Sequence, residues 1–103
     1  MATLMYSATS VKDIENIKDF ISGDSIADAQ YFIKAIRARI TILKKYPEIW
    51  KPVFPEKYKN LRQALCNSYR IIYQFSENKV TIITVHHRLL AVEKLQVLNE
   101  YKI

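Results

Sequence analysis

The chain has 103 residues, half of them hydrophobic and a quarter charged, with one glycine and three prolines. This is the make-up of one soluble globular domain and leaves no room for a flexible linker or a low-complexity tail. The single cysteine, Cys66, excludes an intramolecular disulfide, and no apolar run approaches a membrane span. With an N-terminus unlike a signal peptide, the expectation is a cytoplasmic protein. Sixteen Lys and Arg against ten Asp and Glu give a formal charge of +6, which favours an acidic partner, whether nucleic acid or a protein segment.

In chain order, residues 2–8 form a short candidate strand. Ser10 then reads as a helix N-cap, with Asp13 three residues on to close a capping box. Ile14, Ile17 and Ile21 follow at helical spacing, and Gly23 ends the helix, since glycine tolerates a left-handed C-cap. Ser25 and Asp28 repeat the start signal. A longer helix follows with Ala29, Ile33, Ile36, Ile40 and Leu43 on one stripe, and Pro47 stops it. Two helices so closely joined form an antiparallel hairpin.

Residues 46–60 hold Pro47, Pro52 and Pro55 and should be extended and irregular. Three strands follow: Leu61–Cys66, Tyr69–Ser76 and Lys79–His87. Asn67-Ser68 and Glu77-Asn78 are the tight turns between them, which makes an antiparallel meander. With two-residue loops, Ile71, Tyr73, Phe75, Val80 and Ile82 share an apolar face with Ala64, and the helices cover it. The other face gathers Gln63, Arg70, Gln74, Thr81 and His87 with Leu65, Ile72, Ile83 and Val85. Such a mixed face is either partly solvated or covered by a partner. The fold class is α+β, an N-terminal strand and a helix hairpin on an antiparallel sheet. Residues 1–103 make a single domain. Its tail, 88–103, carries Leu89, Val92, Leu95 and Leu98 at roughly helical spacing and forms either a short helix or a segment that docks in a complex.

Several stretches carry a family likeness. Pro52-Val53-Phe54-Pro55-Glu56 resembles the Val-Pro-Glu segment before the sheet of ParE-like proteins. Leu61-Arg62-Gln63-Ala64-Leu65 and Asn67-Ser68-Tyr69-Arg70-Ile71-Ile72-Tyr73 resemble their central hairpin, and Thr84-Val85-His86-His87-Arg88-Leu89-Leu90 resembles its ending. The chain is thus similar to the RelE/ParE toxin superfamily over roughly residues 5–95. It departs in holding Cys66 and Lys51-Pro52 where that family usually has glycine nearby, and in an ending about two residues short before Arg88.

The resemblance implies the toxin of a type II toxin–antitoxin system, paired with a small, acidic, partly disordered antitoxin in a hetero-oligomer, without cofactor or metal. ParE-type members inhibit DNA gyrase; RelE-type members cut messenger RNA in the ribosome. Arg70 matches the arginine that contacts the scissile phosphate in RelE-type nucleases, but as a lone motif match it reads first as a mid-sheet arginine paired with a carboxylate or main-chain carbonyls. His87, placed on the Arg70 face, suits proton transfer or a strand-end hydrogen bond. Arg70, His87 and Arg88 are therefore the catalytic candidates if the chain is a nuclease. Gln63, Arg70, Gln74, His87 and Arg88 are the candidates for binding antitoxin or target.

Other chemistry-bearing residues read as structural. His86 and His87 are adjacent in a strand and point to opposite faces, so they cannot act as a pair. Arg62 falls opposite Tyr73 on the helix-facing side, with its fork bonded locally. Cys66 reads as strand-end packing, and Tyr46 and Trp50 as a cover for the helix ends. The strand before the Arg70 strand offers Leu61, Gln63 and Leu65 on the Arg70 face, with no cation. That favours a ParE-like gyrase inhibitor over an RNA-cutting enzyme. A basic adaptor that binds protein or nucleic acid without toxicity is the third reading.

Overall fold

The computed structural model describes residues 1–103. Strand β1 (Thr3–Tyr6) leads into helices α1 (Ala8–Ser22) and α2 (Ile26–Lys45). A two-residue strand, β2 (Lys51–Pro52), precedes the meander β3 (Leu61–Cys66), β4 (Tyr69–Ser76) and β5 (Lys79–His87). The sheet order is β1-β5-β4-β3-β2, with β1 parallel to β5 and the other neighbours antiparallel. Strand β2 was not expected. It is a Pro-containing edge, tolerated because only one side of it pairs.

The meander follows from its turns. Cys66 faces Tyr69 and Ser76 faces Lys79, so each loop has two residues. Glu77 and Asn78 both take positive φ, 53° and 58°, the conformation that matches the twist of a hairpin. In the helix pair, Ser25 caps α2 by accepting from the Asp28 amide at 3.1 Å, as the sequence indicates. Phe32, Ile36, Ile40 and Leu43 of α2 are buried against Ala64, Ile71, Tyr73, Val80 and Ile82. Ile14, Ile17 and Ile21 of α1 pack at the edge of that core.

The start of α1 differs from the sequence expectation. The N-cap is Ser7, whose Oγ accepts from the Ser10 amide at 3.0 Å. Ser10 is buried inside the first turn and donates its hydroxyl to the Ser7 carbonyl. The helix therefore begins three residues early. Asp13, freed from capping, reaches β5, where its Oδ2 accepts from Thr84 Oγ1 at 2.6 Å and from the Val85 amide at 3.1 Å. Gly23 closes α1 in a right-handed conformation, φ −61°, not the left-handed one. Its lack of a side chain suits the Phe20 carbonyl, 3.3 Å from where a Cβ would stand.

The largest departure is a bulge in β5. Tyr73 pairs with Ile82, but Ile72 pairs with Thr84, so Ile83 is an extra residue. One extra residue shifts the period-2 alternation, and every later side chain changes face. Val85 joins the helix-side core and lies opposite Ile71. His86, not His87, stands opposite Arg70, and His87 stands opposite Tyr69. The bulge is held by α1's entry. Ser7 Oγ donates to the Ile83 carbonyl at 2.7 Å, and Asp13 satisfies the next residues.

The tail settles the second face of the sheet. Residues Val92–Lys94 and Gln96–Tyr101 form two 3-10 turns rather than an α-helix. Val92 and Leu98 are buried with Val53, Tyr58, Leu61, Ile72 and Ile83 in a second, smaller core, with Leu95 and Val97 beside them. The face expected to be solvated or covered by a partner is covered in part by the chain's own C-terminus. No helix is long and apolar enough to cross a membrane.

Candidate functional site

The polar residues of the outer face collect where β3, β4 and the turn after β5 meet. Gln63 and Arg70, with Arg88, Leu89, Leu90 and Val92, line an open depression of about 300 Å³. Arg70 is the central member, from the middle of the sheet. Its guanidinium donates to the Arg88 carbonyl at 3.0 Å and to the Leu90 carbonyl at 3.4 Å. Both partners are main-chain oxygens of the turn that leaves β5. Arg88 is exposed; its amide donates to the Ser68 carbonyl and its guanidinium to the Asn67 carbonyl, at 2.9 and 3.3 Å.

The other two candidates lie elsewhere. Gln74 is at the far end of β4, where its Nε2 donates to the Lys59 carbonyl at 3.1 Å. His87 is on the helix side, because of the bulge. Its ring sits edge-on to Tyr69 at 5.8 Å, and its Nδ1 accepts from the Leu89 amide at 3.2 Å. Together with Asn16, Ile17 and Phe20 of α1 it lines a separate hollow. The expectation that His87 shares a face with Arg70 is therefore corrected. A strict two-residue alternation cannot anticipate one inserted residue.

His86 takes the place opposite Arg70. It is 8% exposed, and neither ring nitrogen has a hydrogen-bond partner. Burial lowers its pKa to about 4, and the positive charge of Arg70 and then His87 push the same way. A neutral imidazole next to a guanidinium is the form this environment holds near pH 7. Arg70 Nε, too, is buried without a partner.

The remaining candidates have structural surroundings. Arg62 lies opposite Tyr73 and donates to the Trp50 and Glu48 carbonyls at 2.6 and 3.2 Å, with a long 3.9 Å ion pair to Glu48. The Tyr73 hydroxyl donates to the Pro47 carbonyl at 2.7 Å, and burial pushes its pKa up to about 12. Cys66 is buried and burial raises its thiol pKa, the opposite of what a nucleophile needs. Trp50 packs at the edge of the main core under the Arg39 guanidinium, 5.0 Å from its ring, while Tyr46 is half exposed beside Lys45. Ser7 and Asp13 help decide the placement of both histidines; Ser7 escaped the sequence reading, and Asp13 was read there as a capping-box acid, not as a partner of β5. Ser10 and Asp13 have the spacing of a capping box, and the competing signal was the earlier serine at position 7.

Chemically, the cluster is a shallow polar depression that holds two arginines and Glu93. With the Arg70 fork turned to main-chain carbonyls, Arg88 and Gln63 are the groups that can receive a carboxylate or a carbonyl at its rim. RNA cleavage by 2′-hydroxyl attack needs a base and an acid on either side of the phosphate. The ring nearest Arg70 is buried, unpartnered and hard to protonate, and the exposed ring of His87 opens onto the other side.

Comparison with known proteins gives the same frame. A family model described as the ParE toxin of the type II toxin–antitoxin system, parDE, matches residues 4–89. A solved structure described as the chromosomal ParDE toxin–antitoxin system from P. aeruginosa is 12% identical with a TM-score of 0.69, covering 84% of this chain and 96% of its own. The toxin–antitoxin complex RelBE2 from Mycobacterium tuberculosis is 18% identical with a TM-score of 0.60, covering 84% of this chain and 98% of its own. At those identities the two structures speak for the fold. No curated protein matches the chain.

Proposed function

Since the chain belongs to the ParE toxin family of type II toxin–antitoxin systems, we propose that it arrests growth in the cytoplasm by protein–protein contact with DNA gyrase, not by cutting RNA. One observation carries this choice. The β5 bulge separates the exposed histidine, His87, from Arg70. Arg70 meanwhile spends its fork on the Arg88 and Leu90 carbonyls. Leu61, Gln63 and Leu65 supply no cation from the neighbouring strand. Losing a single preorganised charge stabiliser costs about 10²–10³ in rate. A phosphate site short of two, with no oriented base, is a poor nuclease.

In this reading a cognate antitoxin, small, acidic and partly disordered, forms a hetero-oligomer with the chain and holds it silent. Two solved relatives are described as toxin–antitoxin assemblies, which supports that partner. Gln63 of β3 and the exposed Arg88 offer rim contacts, while Arg70 holds the turn that presents Arg88.

The test compares two assays with purified protein. Supercoiling by gyrase should be inhibited in a dose-dependent way, and a defined message translated on ribosomes should stay intact. Codon-positioned cleavage that vanishes on Arg70→Ala would overturn the reading and make Arg70 catalytic. On the gyrase reading, Arg70→Ala mainly loosens the turn and lowers stability.

A further inference from the structure

The outer face of the sheet carries a contiguous apolar strip, Leu61, Ile72 and Ile83, continued by Val53 and Tyr58 from the proline-rich connection; each is at most 2% exposed. Such a strip on an open sheet invites a partner. In this chain the cover is the segment after β5. Val92 and Leu98 press onto the strip, and Leu95, Val97 and Tyr101 flank them. The end of the segment is tied down by backbone bonds. Tyr58 and Lys102 form an antiparallel bridge, with Lys59 N–H donating to the Tyr101 carbonyl at 2.8 Å and Ile103 N–H to the Lys57 carbonyl at 2.9 Å. The turn that leads into it is held by Arg70, which donates to the Arg88 and Leu90 carbonyls. The family match stops at residue 89, just before the segment begins.

We infer that Ala91–Ile103 is a cis-acting strap that keeps the apolar strip of the outer face closed in every state of the protein, so that antitoxin and target are received on surfaces it leaves free, the Gln63 and Arg88 rim among them. The physical reason is the cost of opening. Lifting the strap wets seven buried apolar side chains and breaks its two backbone bonds to Lys57 and Lys59. An incoming segment would have to replace all of that before gaining anything. The strap is fastened at its C-terminal end, so fraying from the terminus meets the Lys57–Lys59 bonds first. Closure stands on these contacts alone; the statement about antitoxin rests on the family reading.

The experiment has two arms. In the free protein, native-state hydrogen exchange should show the Lys59 and Ile103 amides protected to within about tenfold of the β4 amides. Exchange of both at the rate of exposed loops would overturn the strap, whatever the protein's function. In the second arm, Tyr58→Cys with Lys102→Cys locks the strap by a disulfide. The two positions are a non-hydrogen-bonded antiparallel pair, whose Cα separation of about 4.5 Å suits a disulfide. Comparing oxidised with reduced forms of the same variant cancels the loss of the Tyr58 ring. Affinity for the co-expressed antitoxin should agree within about twofold between the two forms. Tenfold weaker binding by the locked form would show that the strap must leave, and would overturn the proposal. Absence of any antitoxin binding by the wild-type protein would sink the family-based part and leave the exchange result to judge closure.

Discussion

Two residues set the chemistry of β5. Asp13 accepts from both the Thr84 hydroxyl and the Val85 amide, and it is the partner of both in the bulge. Asp13→Ala orphans these two donors next to a closed core. The expected loss is about 2–3 kcal/mol of unfolding free energy, because unpaired buried donors carry their full desolvation cost. Urea denaturation measures it, and a change under about 0.5 kcal/mol would show that water replaces the carboxylate. His86 makes a second test. Its pKa is near 4 in the folded protein, against an ordinary value of 6.5. Between these values the unfolded chain binds the extra proton, so stability is complete above about pH 6.5 and falls as pH drops towards 4. The fall is on the order of 3 kcal/mol, and His86→Phe should flatten the slope in that window. An unchanged slope would mean that the imidazole is protonated without opening the sheet.

At the scale of elements, the β4–β5 hairpin is built on a demanding turn. Glu77 sits at φ 53° with no side-chain reason to prefer it, followed by Asn78 at 58°. A non-glycine residue pays for the left-handed region, and Asn-Gly is the pair that fits such a turn best. Glu77→Asn with Asn78→Gly should therefore stabilise the fold by about 1 kcal/mol, read as a rise in the denaturation midpoint at constant slope. Destabilisation would indicate that Glu77 makes a contact worth more than the strain. The helix hairpin is more conventional. Its serine cap at Ser25 and the stripe of Ile36, Ile40 and Leu43 act as the pattern requires. The strand edges differ in kind. Strand β2 is short and holds Pro52, whereas β1 is unblocked by proline or charge and leaves Met5 and Tyr6 half exposed.

For the molecule as a whole, the excess of six positive charges acts at long range. On the proposed function, the partner is an acidic, disordered antitoxin. Its association rate should then fall about tenfold between low and physiological salt, while dissociation changes little, because screening weakens steering more than the docked apolar contacts. Surface-capture kinetics at two salt concentrations would show it. A rate independent of salt would place recognition in apolar anchors alone. The molecule has two cores of unequal size on either side of one sheet, and the smaller is completed only by the C-terminal strap.

The three meander strands, the helix pair and the helix-facing side of the sheet as far as the β5 bulge were legible in the residues. Their signals are local: a Ser25 cap, two-residue turns at Asn67-Ser68 and Glu77-Asn78, and apolar periods of 3.6 and 2. The family likeness was legible for a related reason, since it lies in the same hairpin. The position of His87, the burial of His86 and the cover over Leu61, Ile72 and Ile83 were decided by tertiary structure. Each depends on bonds between residues remote in the chain. Ser7 holds the Ile83 carbonyl across 76 positions and Asp13 holds Thr84 across 71. A bulge inserts one residue into the strand and leaves no mark in local periodicity, because what makes it stable is the hydroxyl and carboxylate delivered by a distant helix end. The tail's apolar spacing, likewise, suits an α-helix or a pair of 3-10 turns. Only the shape of the sheet it covers selects between them.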